Sequence, residues 1–176
     1  MNVAYLRECF AYDEDQGRLI WCIRPKSHFK GGAGWHNFND QFAGHLAGSP
    51  NKNGRIIVKL NGQSYRAARL IWALHVGHMD FPYIDHIDGN PANDRLFNLR
   101  PATPTQNAQN RSLVSGNSSG VCGVTWHKPS KKWWARITLN GKTRSLGLYA
   151  DKTNAIQRVI EARIVLFKEF ARVGTS

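Results

Sequence analysis

One segment restricts the fold of this chain more than any other: residues 83–111, with the sequence YIDHIDGNPANDRLFNLRPATPTQNAQNR. Residues 83–87 are typical of a strand, Asp88-Gly89 interrupts it, and a second extended run resumes at Asn98 after a polar loop. The run Thr103-Pro104-Thr105-Gln106 fits a capping box with proline at the first helical position, so a helix is predicted to begin there. The order strand, loop, strand, helix brings four polar side chains into one small neighbourhood: Asp85, His86, Asn98 and Asn107.

These side chains suit the hydrolysis of a phosphodiester bond. That reaction needs an activated water, a cation that neutralises charge on the phosphate, and stabilisation of the leaving oxygen. A neutral histidine deprotonates water near pH 7, and oxygen ligands such as Asp85 and the amide of Asn107 can hold a hydrated magnesium ion. The alternative is a polar surface loop whose asparagines form turns, and that role is assigned to Asn90 and Asn93.

The same residues resemble the HNH endonuclease motif, a ββα-metal finger of phage homing endonucleases. The resemblance rests on the spacing of His86, of Asn98 twelve residues later and of Asn107 nine further on, together with the runs DHIDGN and NLR. It implies that His86 is the general base and that Asn98 braces the loop and orients this histidine. Asp85 and Asn107 would bind a divalent metal, Mg²⁺ with Mn²⁺ as a substitute. Asp94 departs from the double asparagine often found in the family, which affects a detail of the loop.

The first strand poses a geometric question. Asp85 and His86 are neighbours, and neighbouring residues on a regular strand point to opposite faces. The two side chains can serve one site only if the strand is irregular or the site wraps around the end of the strand. The break at Asp88-Gly89 is compatible with the second arrangement.

The charge balance predicts a polyanionic partner. The 176 residues include 24 Lys and Arg against 12 Asp and Glu, for a net charge of +12, and 41% of the residues are hydrophobic. Residues 112–176 hold +8 of that charge, residues 1–84 hold +4, and residues 85–111 are neutral. Basic surface attracts phosphate irrespective of sequence, so double-stranded DNA is the predicted partner. The alternative is a protein that is basic but does not bind nucleic acid.

The sequence does not predict a membrane or secreted location. No apolar run reaches the ~18 residues of a membrane span, and the start MNVAYLRECF lacks the features of a secretory signal. Cys9, Cys22 and Cys122 are odd in number and have no C-x-x-C spacing, which argues against a disulfide framework and against a structural zinc site. We therefore expect an intracellular protein with buried thiols, in the host cytoplasm if a phage encodes it.

Turn and linker signals predict two modules. They are an HNH domain over residues 1–111, with its motif core at 83–111, and a DNA-binding domain over 121–176. A serine- and glycine-rich linker over 112–120 joins them.

Within the first module, residues 10–24 predict a hairpin with its turn between Asp13 and Gly17. Asn61-Gly62 predicts a second hairpin, and the following run AARLIWALHV predicts a helix. Residues 26–54 are rich in glycine and asparagine and are predicted to be loop-like.

The C-terminal module predicts a three-stranded sheet backed by one helix. Two strands flank Asn140-Gly141, GVCGVTW supplies a strand ahead of them, and a long helix follows residue 151. The apolar residues assigned to the face of that helix are Ile156, Val159, Ile160, Ile164 and Phe167. Period-two alternation points Ala135 and Ile137 toward the helix and Trp134, Arg136 and Thr138 to the opposite face. Trp133 shares the inward phase and is assigned to the core.

Residues 119–165 resemble the plant ethylene-response-factor (Apetala-type) DNA-binding domain, which is also found fused to phage HNH nucleases. The resemblance implies that the sheet enters the major groove while the helix packs behind it. Base preference does not carry over, because Cys122, Thr125 and Ser145 stand at or near positions where the plant domains use arginine. Arg144 has the wrong phase if Ser145 faces DNA. The predicted DNA-binding residues are Trp126, His127, Lys128, Lys131, Lys132, Trp134, Arg136, Thr138 and Arg144.

The sequence therefore predicts an α+β protein that acts as a metal-dependent endonuclease on double-stranded DNA. It would be a homing-type nuclease that nicks one strand per active site as a monomer, with a dimer or two successive nicks needed for a double-strand break. A non-catalytic DNA-binding regulator on the same scaffold is the alternative from another class. An RNA-binding protein of ribosomal type would explain the charge but not the histidine cluster.

Overall fold

The chain folds into two compact units, Met1–Ala102 and Thr103–Ser176. The computed structural model describes residues 2–30, 32–109 and 119–171. Helices and antiparallel sheets in both units confirm the predicted α+β class. The predicted linker falls mostly outside the described residues, so the predicted domain limits stay a prediction. Within the described ranges, no helix is long and apolar enough to cross a membrane.

The first unit opens with a helix and a hairpin. The helix α1 (Val3–Cys9) is capped by Asn2, whose side-chain oxygen accepts a hydrogen bond from the backbone N–H of Ala4. It leads directly into β1 (Phe10–Asp13) and β2 (Arg18–Trp21), which pair antiparallel. The hairpin predicted from residues 10–24 is confirmed.

A helix lies within residues 26–54, where the sequence predicted a loop. The segment contains a 3-10 turn (Lys26–His28), the helix α2 (Gly32–Phe42) and the short strand β3 (Ser49–Pro50). The side chains of Trp35 and Asn39 anchor α2 by donating to the carbonyl oxygen of Arg24 at 2.8 and 3.0 Å. Trp35, Phe38 and Phe42 have helical spacing, a signal that the surrounding glycines and asparagines obscure.

The central part of the first unit is a sheet with a helix against it. Strand β4 (Ile56–Leu60) pairs with β3 and with β5 (Gln63–Arg66), and α3 (Ala67–Val76) follows. Asn61 and Gly62 have φ values of 51° and 77°, the left-handed pair that a two-residue hairpin turn requires. The predicted hairpin and helix are both confirmed. The core here includes the fully buried side chains of Leu6, Leu19, Val58, Leu60, Leu70 and Ile71.

The strands β6 (Tyr83–His86) and β7 (Leu99–Ala102) form the last hairpin of the first unit, with a 3-10 turn (Leu96–Asn98) before β7. The long loop between them is tied to the β1–β2 hairpin. Arg95 donates from Nη2 to the carbonyl oxygen of Asp15 at 2.7 Å, and the N–H of Leu96 donates to the hydroxyl of Tyr12 at 3.0 Å. Gly17 permits this approach, because a Cβ at that position would lie 2.7 Å from Arg95.

The second unit is a three-stranded sheet with one long helix. Its elements are α4 (Pro104–Gln109), β8 (Val124–His127), β9 (Lys132–Leu139), β10 (Lys142–Tyr149), α5 (Lys152–Phe167) and a 3-10 turn (Lys168–Phe170). The strands pair in the order β8–β9–β10, all antiparallel. Asp151 caps α5 by accepting hydrogen bonds from the N–H groups of Thr153 and Asn154. The predicted three-stranded sheet and helix are confirmed.

The small core of this unit lies between the sheet and α5. Val124, Ala135, Ala155 and Val159 are buried there, and Trp133 packs against them as predicted. The assignment of Ile164 to the buried face of α5 is wrong, since Ile164 is 52% exposed. The C-terminal turns of α5 instead bury Ala162, Arg163 and Phe167.

Candidate active site

The site residues of the first unit lie on and between the paired strands β6 and β7. The register sets Asp85 opposite Arg100 and His86 opposite Leu99. Because successive residues of a strand alternate between its faces, the side chains of Asp85 and His86 leave β6 on opposite sides. The strand is regular at this point and ends at His86, so only a site that wraps around the strand end could use both.

The imidazole of His86 is held against a buried carboxylate. Nε2 of His86 lies 2.7 Å from Oδ1 of Asp94, with the histidine side chain 12% exposed and the aspartate side chain 2% exposed. A carboxylate only accepts hydrogen bonds, so the ring nitrogen that faces it carries a hydrogen. The proton of the neutral imidazole then sits on Nε2, and the lone pair that could accept a proton from water sits on Nδ1.

Asp85 is paired with a cation on the neighbouring strand. The Nε and Nη2 atoms of Arg100 donate to the same carboxylate oxygen, Oδ2, at 3.0 and 2.9 Å. Both side chains are largely buried, so the contact is a shielded ion pair rather than a surface one. It holds the Asp85 carboxylate at a defined position on the sheet.

Asn98 braces the loop between the strands, as the HNH resemblance implied. It is 4% exposed, its Oδ1 accepts from the N–H of Asp88, and its Nδ2 donates to Oδ1 of Asp88 and to the carbonyl of Asn93. Its backbone oxygen accepts from the N–H of Ile87 at 2.8 Å. The described hydrogen-bond partner of the His86 ring is Asp94, so orientation of His86 by Asn98 through a direct bond stays a prediction.

The Asp88 carboxylate organises the turn. It accepts hydrogen bonds from the N–H of Asn90 and from the side-chain amides of Asn93 and Asn98. Partial burial on its own would raise the pKa of Asp88, but these hydrogen bonds to the charged form outweigh it and the pKa lies below its usual range. Asn90 and Asn93 are therefore turn formers, in agreement with the sequence analysis.

Asn107 lies in the second unit, in the helix α4. The predicted capping box is present: the N–H of Thr103 donates to Oε1 of Gln106 at 2.8 Å, and the N–H of Gln106 donates to Oγ1 of Thr103 at 3.2 Å. Asn107 is half-buried and donates its backbone N–H to the carbonyl of Thr103. Its predicted part in a metal site shared with Asp85 stays a prediction.

The carboxylate of Asp85 is of a type that fits a hard divalent cation. The two described bonds from Arg100 to Asp85 both end on Oδ2, and carboxylate oxygen is a ligand that magnesium accepts while keeping several waters. In the described ranges no three His, Cys, Asp or Glu side chains converge on one point. An ion at this place would therefore depend on water and substrate phosphate for most of its ligands.

In the second unit, one face of the sheet carries most of the residues predicted to bind DNA. The register sets Trp134 opposite Thr125 and Leu148, and Arg136 opposite Ser145. The guanidinium of Arg136 lies 4.8 Å from the ring centroid of Trp134, whose Nε1 donates to Oγ of Ser145 at 2.9 Å. We call these residues and their neighbours the outer sheet face: Thr125, His127, Lys132, Trp134, Arg136, Thr138, Thr143, Ser145 and Leu148.

Further predicted residues lie beside that face. Lys128 and Lys131 are exposed in the turn between β8 and β9, and the imidazole of His127 meets the ring of Trp134 edge-on at 6.0 Å. The hydroxyls of Thr138 and Thr143 are hydrogen-bonded at 2.9 Å. The outer sheet face therefore presents an aromatic ring, a stacked guanidinium and Lys132, with two further lysines in the adjoining turn.

Two residues grouped with the DNA-binding set lie on the other face of the sheet. Trp126 is paired with Trp133, which packs toward α5, and Arg144 is paired with the buried Ile137. Trp126 and Arg144, which the sequence analysis included among the predicted DNA-binding residues, therefore do not belong to the outer sheet face. Ser145 lies on the outer sheet face, and its neighbour Arg144 therefore lies on the opposite face, as the alternation along the strand requires.

The contacts of Asp94 and Arg100 are not predicted from the sequence. The sequence predicts only a variation of the loop at Asp94, whereas the loop places the Asp94 carboxylate against the ring of His86. Arg100 follows Asn98 in the NLR run, and only the strand register shows that it stands opposite Asp85. An acidic residue in the loop after a strand histidine, and a basic residue on the returning strand, were the available signals.

Comparison with known proteins shows to which family the sequence around this site is similar. Residues 65–109 match the sequence profile of the HNH endonuclease family. The chain is 39% identical over 90 residues to Protein 3.8 of Escherichia phage T7, which covers 51% of this chain and 74% of that protein. It is also 36% identical over 89 residues to the Uncharacterized HNH endonuclease L560 of Acanthamoeba polyphaga mimivirus, covering 51% of this chain and 45% of that one. No solved structure gives a significant match.

The chain therefore belongs to the HNH endonuclease family. The recognition of an HNH domain with phage and viral relatives is confirmed. None of these matches shows the Apetala-type domain, and that resemblance stays a prediction.

Proposed function

We propose that this protein is a divalent-metal-dependent endonuclease that hydrolyses phosphodiester bonds of double-stranded DNA. The observation that carries the proposal is the position of His86 at the end of β6, with Nε2 on a carboxylate and the strand Leu99–Ala102 beside it. The ring is partly exposed, so water and phosphate can approach it. A histidine with a fixed ring and a lone pair on Nδ1 is equipped to take a proton from an attacking water.

Each residue of the site would have a different role in the reaction. His86 would accept the proton of the water that attacks phosphorus, and Asn98 would hold the loop that flanks this histidine. Asp85 and the amide oxygen of Asn107 would hold Mg²⁺, or Mn²⁺ in its place, which when bound neutralises charge on the phosphate and on the leaving 3′ oxygen. Cleavage would leave 5′-phosphate and 3′-hydroxyl ends. Arg100 would keep the carboxylate of Asp85 aligned.

The second unit would hold the protein on duplex DNA. Its outer sheet face carries Arg136 stacked on Trp134, and the region from residue 112 onward has a net charge of +8. Lys128, Lys131 and Lys132 would contact phosphates, while Trp134, Arg136 and Thr138 would face the bases. A two-part protein of this kind suits a site-recognising homing nuclease, which acts as a monomer and nicks one strand per active site.

The test is cleavage of genomic DNA, because no target sequence needs to be assumed. Purified full-length protein is incubated with a phage genomic library and Mg²⁺, and the new ends are mapped. Wild type is expected to cut at recurrent positions, and EDTA is expected to stop the reaction. His86→Ala should cut at least ~100-fold more slowly, the lower range of a general base contribution. His45→Ala is the matched control, since His45 is exposed and remote from the β6–β7 hairpin in sequence.

The outcomes separate the proposal from its rival. If His86→Ala and wild type cut alike, the assignment of the base is wrong. If wild type binds DNA and does not cut it with Mg²⁺ or Mn²⁺, the protein is a non-catalytic DNA-binding regulator on a nuclease scaffold. For the metal ligands, Asp85→Ala and Asn107→Ala should both raise the Mg²⁺ concentration that gives half-maximal cleavage, whereas Asn37→Ala on the exposed side of α2 should not.

A further inference from the structure

The carboxylate of Asp94 is almost completely buried, and only one of its two oxygens has a described hydrogen bond. Its side chain is 2% exposed, and Oδ1 bonds to Nε2 of His86 at 2.7 Å. Its second oxygen, Oδ2, is buried and has no hydrogen-bond partner among the described residues. Because removing a carboxylate from water costs free energy that only hydrogen bonds and opposite charge offset, burial of Asp94 with one oxygen unpartnered costs stability. A functional role of the contact with His86 would explain why the fold retains this cost.

The chain is held in place on both sides of Asp94. On one side, Nδ2 of the buried Asn98 donates to the carbonyl of Asn93 at 2.8 Å. On the other side, Arg95 donates to the carbonyl of Asp15, and the N–H of Leu96 donates to the hydroxyl of Tyr12. The residues before and after Asp94 are thus tied to different parts of the first unit. The carboxylate has little freedom to move away from His86.

We propose that Asp94 is a positioning residue for His86: it holds the imidazole in the tautomer with hydrogen on Nε2 and the lone pair on Nδ1. The inference rests on the proposed function, in which His86 is the general base. Without a fixed partner, a neutral imidazole would exchange between its two tautomers. While the hydrogen is on Nδ1, that nitrogen cannot accept a proton from water. The Asp94 carboxylate removes that option because it cannot donate a hydrogen bond.

The chemistry also explains why asparagine would serve less well at this position. An amide oxygen can accept from Nε2, but rotation by 180° presents the NH₂ group instead and selects the other tautomer. A carboxylate is the same after that rotation. Aspartate at position 94 therefore fixes the tautomer in either orientation of its own side chain.

The experiment compares Asp94→Asn and Asp94→Ala with Asp40→Asn, a matched control in which an exposed carboxylate on α2 becomes an amide. Single-turnover cleavage of the mapped target is measured at saturating DNA, with DNA affinity from fluorescence anisotropy. Asp94→Ala should lower the cleavage rate constant ~10- to 1000-fold, which is within what a general base supplies. Asp94→Asn should lower it less. Both should bind DNA as wild type does, and Asp40→Asn should match wild type in both assays.

A second readout does not depend on cleavage. ¹⁵N chemical shifts of the His86 ring report the tautomer of the neutral imidazole, assigned by comparison with His86→Ala. Wild type should show hydrogen on Nε2, and Asp94→Ala should show a mixture. Hydrogen on Nδ1 in wild type, or an unchanged tautomer and cleavage rate in a folded Asp94→Ala, would overturn the inference. If wild type never cleaves DNA, the proposed function fails while the ¹⁵N shifts still decide whether Asp94 sets the tautomer.

Discussion

The carboxylate of Asp85 and the guanidinium of Arg100 face each other across β6 and β7, and two guanidinium nitrogens bond to the single oxygen Oδ2 at 3.0 and 2.9 Å. The pair is largely buried. The residue proposed to bind a metal thus already has a cationic partner from the adjacent strand. A bound cation and Arg100 would neutralise the same carboxylate together.

This relationship predicts how Mg²⁺ affects stability. Arg100→Gln leaves the Asp85 carboxylate without its cation and should lower the free energy of unfolding by about 3 kcal/mol in EDTA. Mg²⁺ should then raise the melting temperature of Arg100→Gln more than that of wild type, because the ion replaces the lost charge. Differential scanning fluorimetry with and without Mg²⁺ measures both shifts. The double variant Asp85→Asn/Arg100→Gln is the control and should lose the Mg²⁺ response; an equal response in all three proteins would contradict the assignment of Asp85.

The turn at Asp88 predicts a pH-dependent contribution to stability. Desolvation acts to raise the pKa of Asp88, but hydrogen bonds from Asn93, Asn90 and Asn98 outweigh it and lower the pKa. A carboxyl group whose folded pKa is lowered stabilises the fold above its unfolded pKa of ~3.9, and this stabilisation is lost as pH falls through the lower folded value. Asp88→Asn should therefore melt below wild type at pH 7, and the difference should shrink below about pH 4.

Thermal melts from pH 7 to pH 2.5 test this expectation. Asp40→Asn, which removes an exposed carboxylate from α2, should follow wild type over the whole range. A gap between Asp88→Asn and wild type that persists undiminished to pH 2.5 would show that the charge of Asp88 is not what stabilises the turn.

The two faces of the second sheet predict different effects for two arginines. Arg136 is stacked on Trp134 on the outer sheet face, whereas Arg144 is paired with Ile137 on the other side. Both alanine variants remove one positive charge, so the long-range attraction to DNA falls equally. Arg136→Ala should weaken binding to duplex DNA by an additional ~1–3 kcal/mol, the scale of a direct contact. Anisotropy titrations at two salt concentrations measure this, and equal losses for both variants would refute the outer sheet face as the DNA-binding surface.

The small core of the second unit predicts an asymmetry along α5. Val159 is 1% exposed against the sheet, while Val165 on the same helix is 72% exposed. Val159→Ala should lower the free energy of unfolding by about 1.5–3 kcal/mol, the value of burying a valine side chain. Val165→Ala removes the same atoms from a surface position and should change it by less than ~0.5 kcal/mol. Urea denaturation followed by tryptophan fluorescence tests the pair; similar losses would mean that Val165 is covered in solution.

Local sequence rules predicted the turns and most of the elements. Asn61-Gly62 and Asn140-Gly141 both adopt positive φ at each residue, because a two-residue hairpin turn needs left-handed backbone and asparagine with glycine tolerates it best. The capping box at Thr103 formed as predicted. The rules failed at α2, because glycine and asparagine lower helix propensity while Trp35 and Phe38 gain their contacts only from the folded unit.

The sequence alone determined the class of site, because the spacing of His86, Asn98 and Asn107 and the residue types around them point to HNH chemistry. Only the tertiary structure decided which partner each of the reactive groups has. Arg100 meets Asp85 because of the strand register, and Asp94 meets His86 because two loop anchors set the path of the chain. Such contacts depend on loop closure and register, for which a single sequence carries no periodic signal.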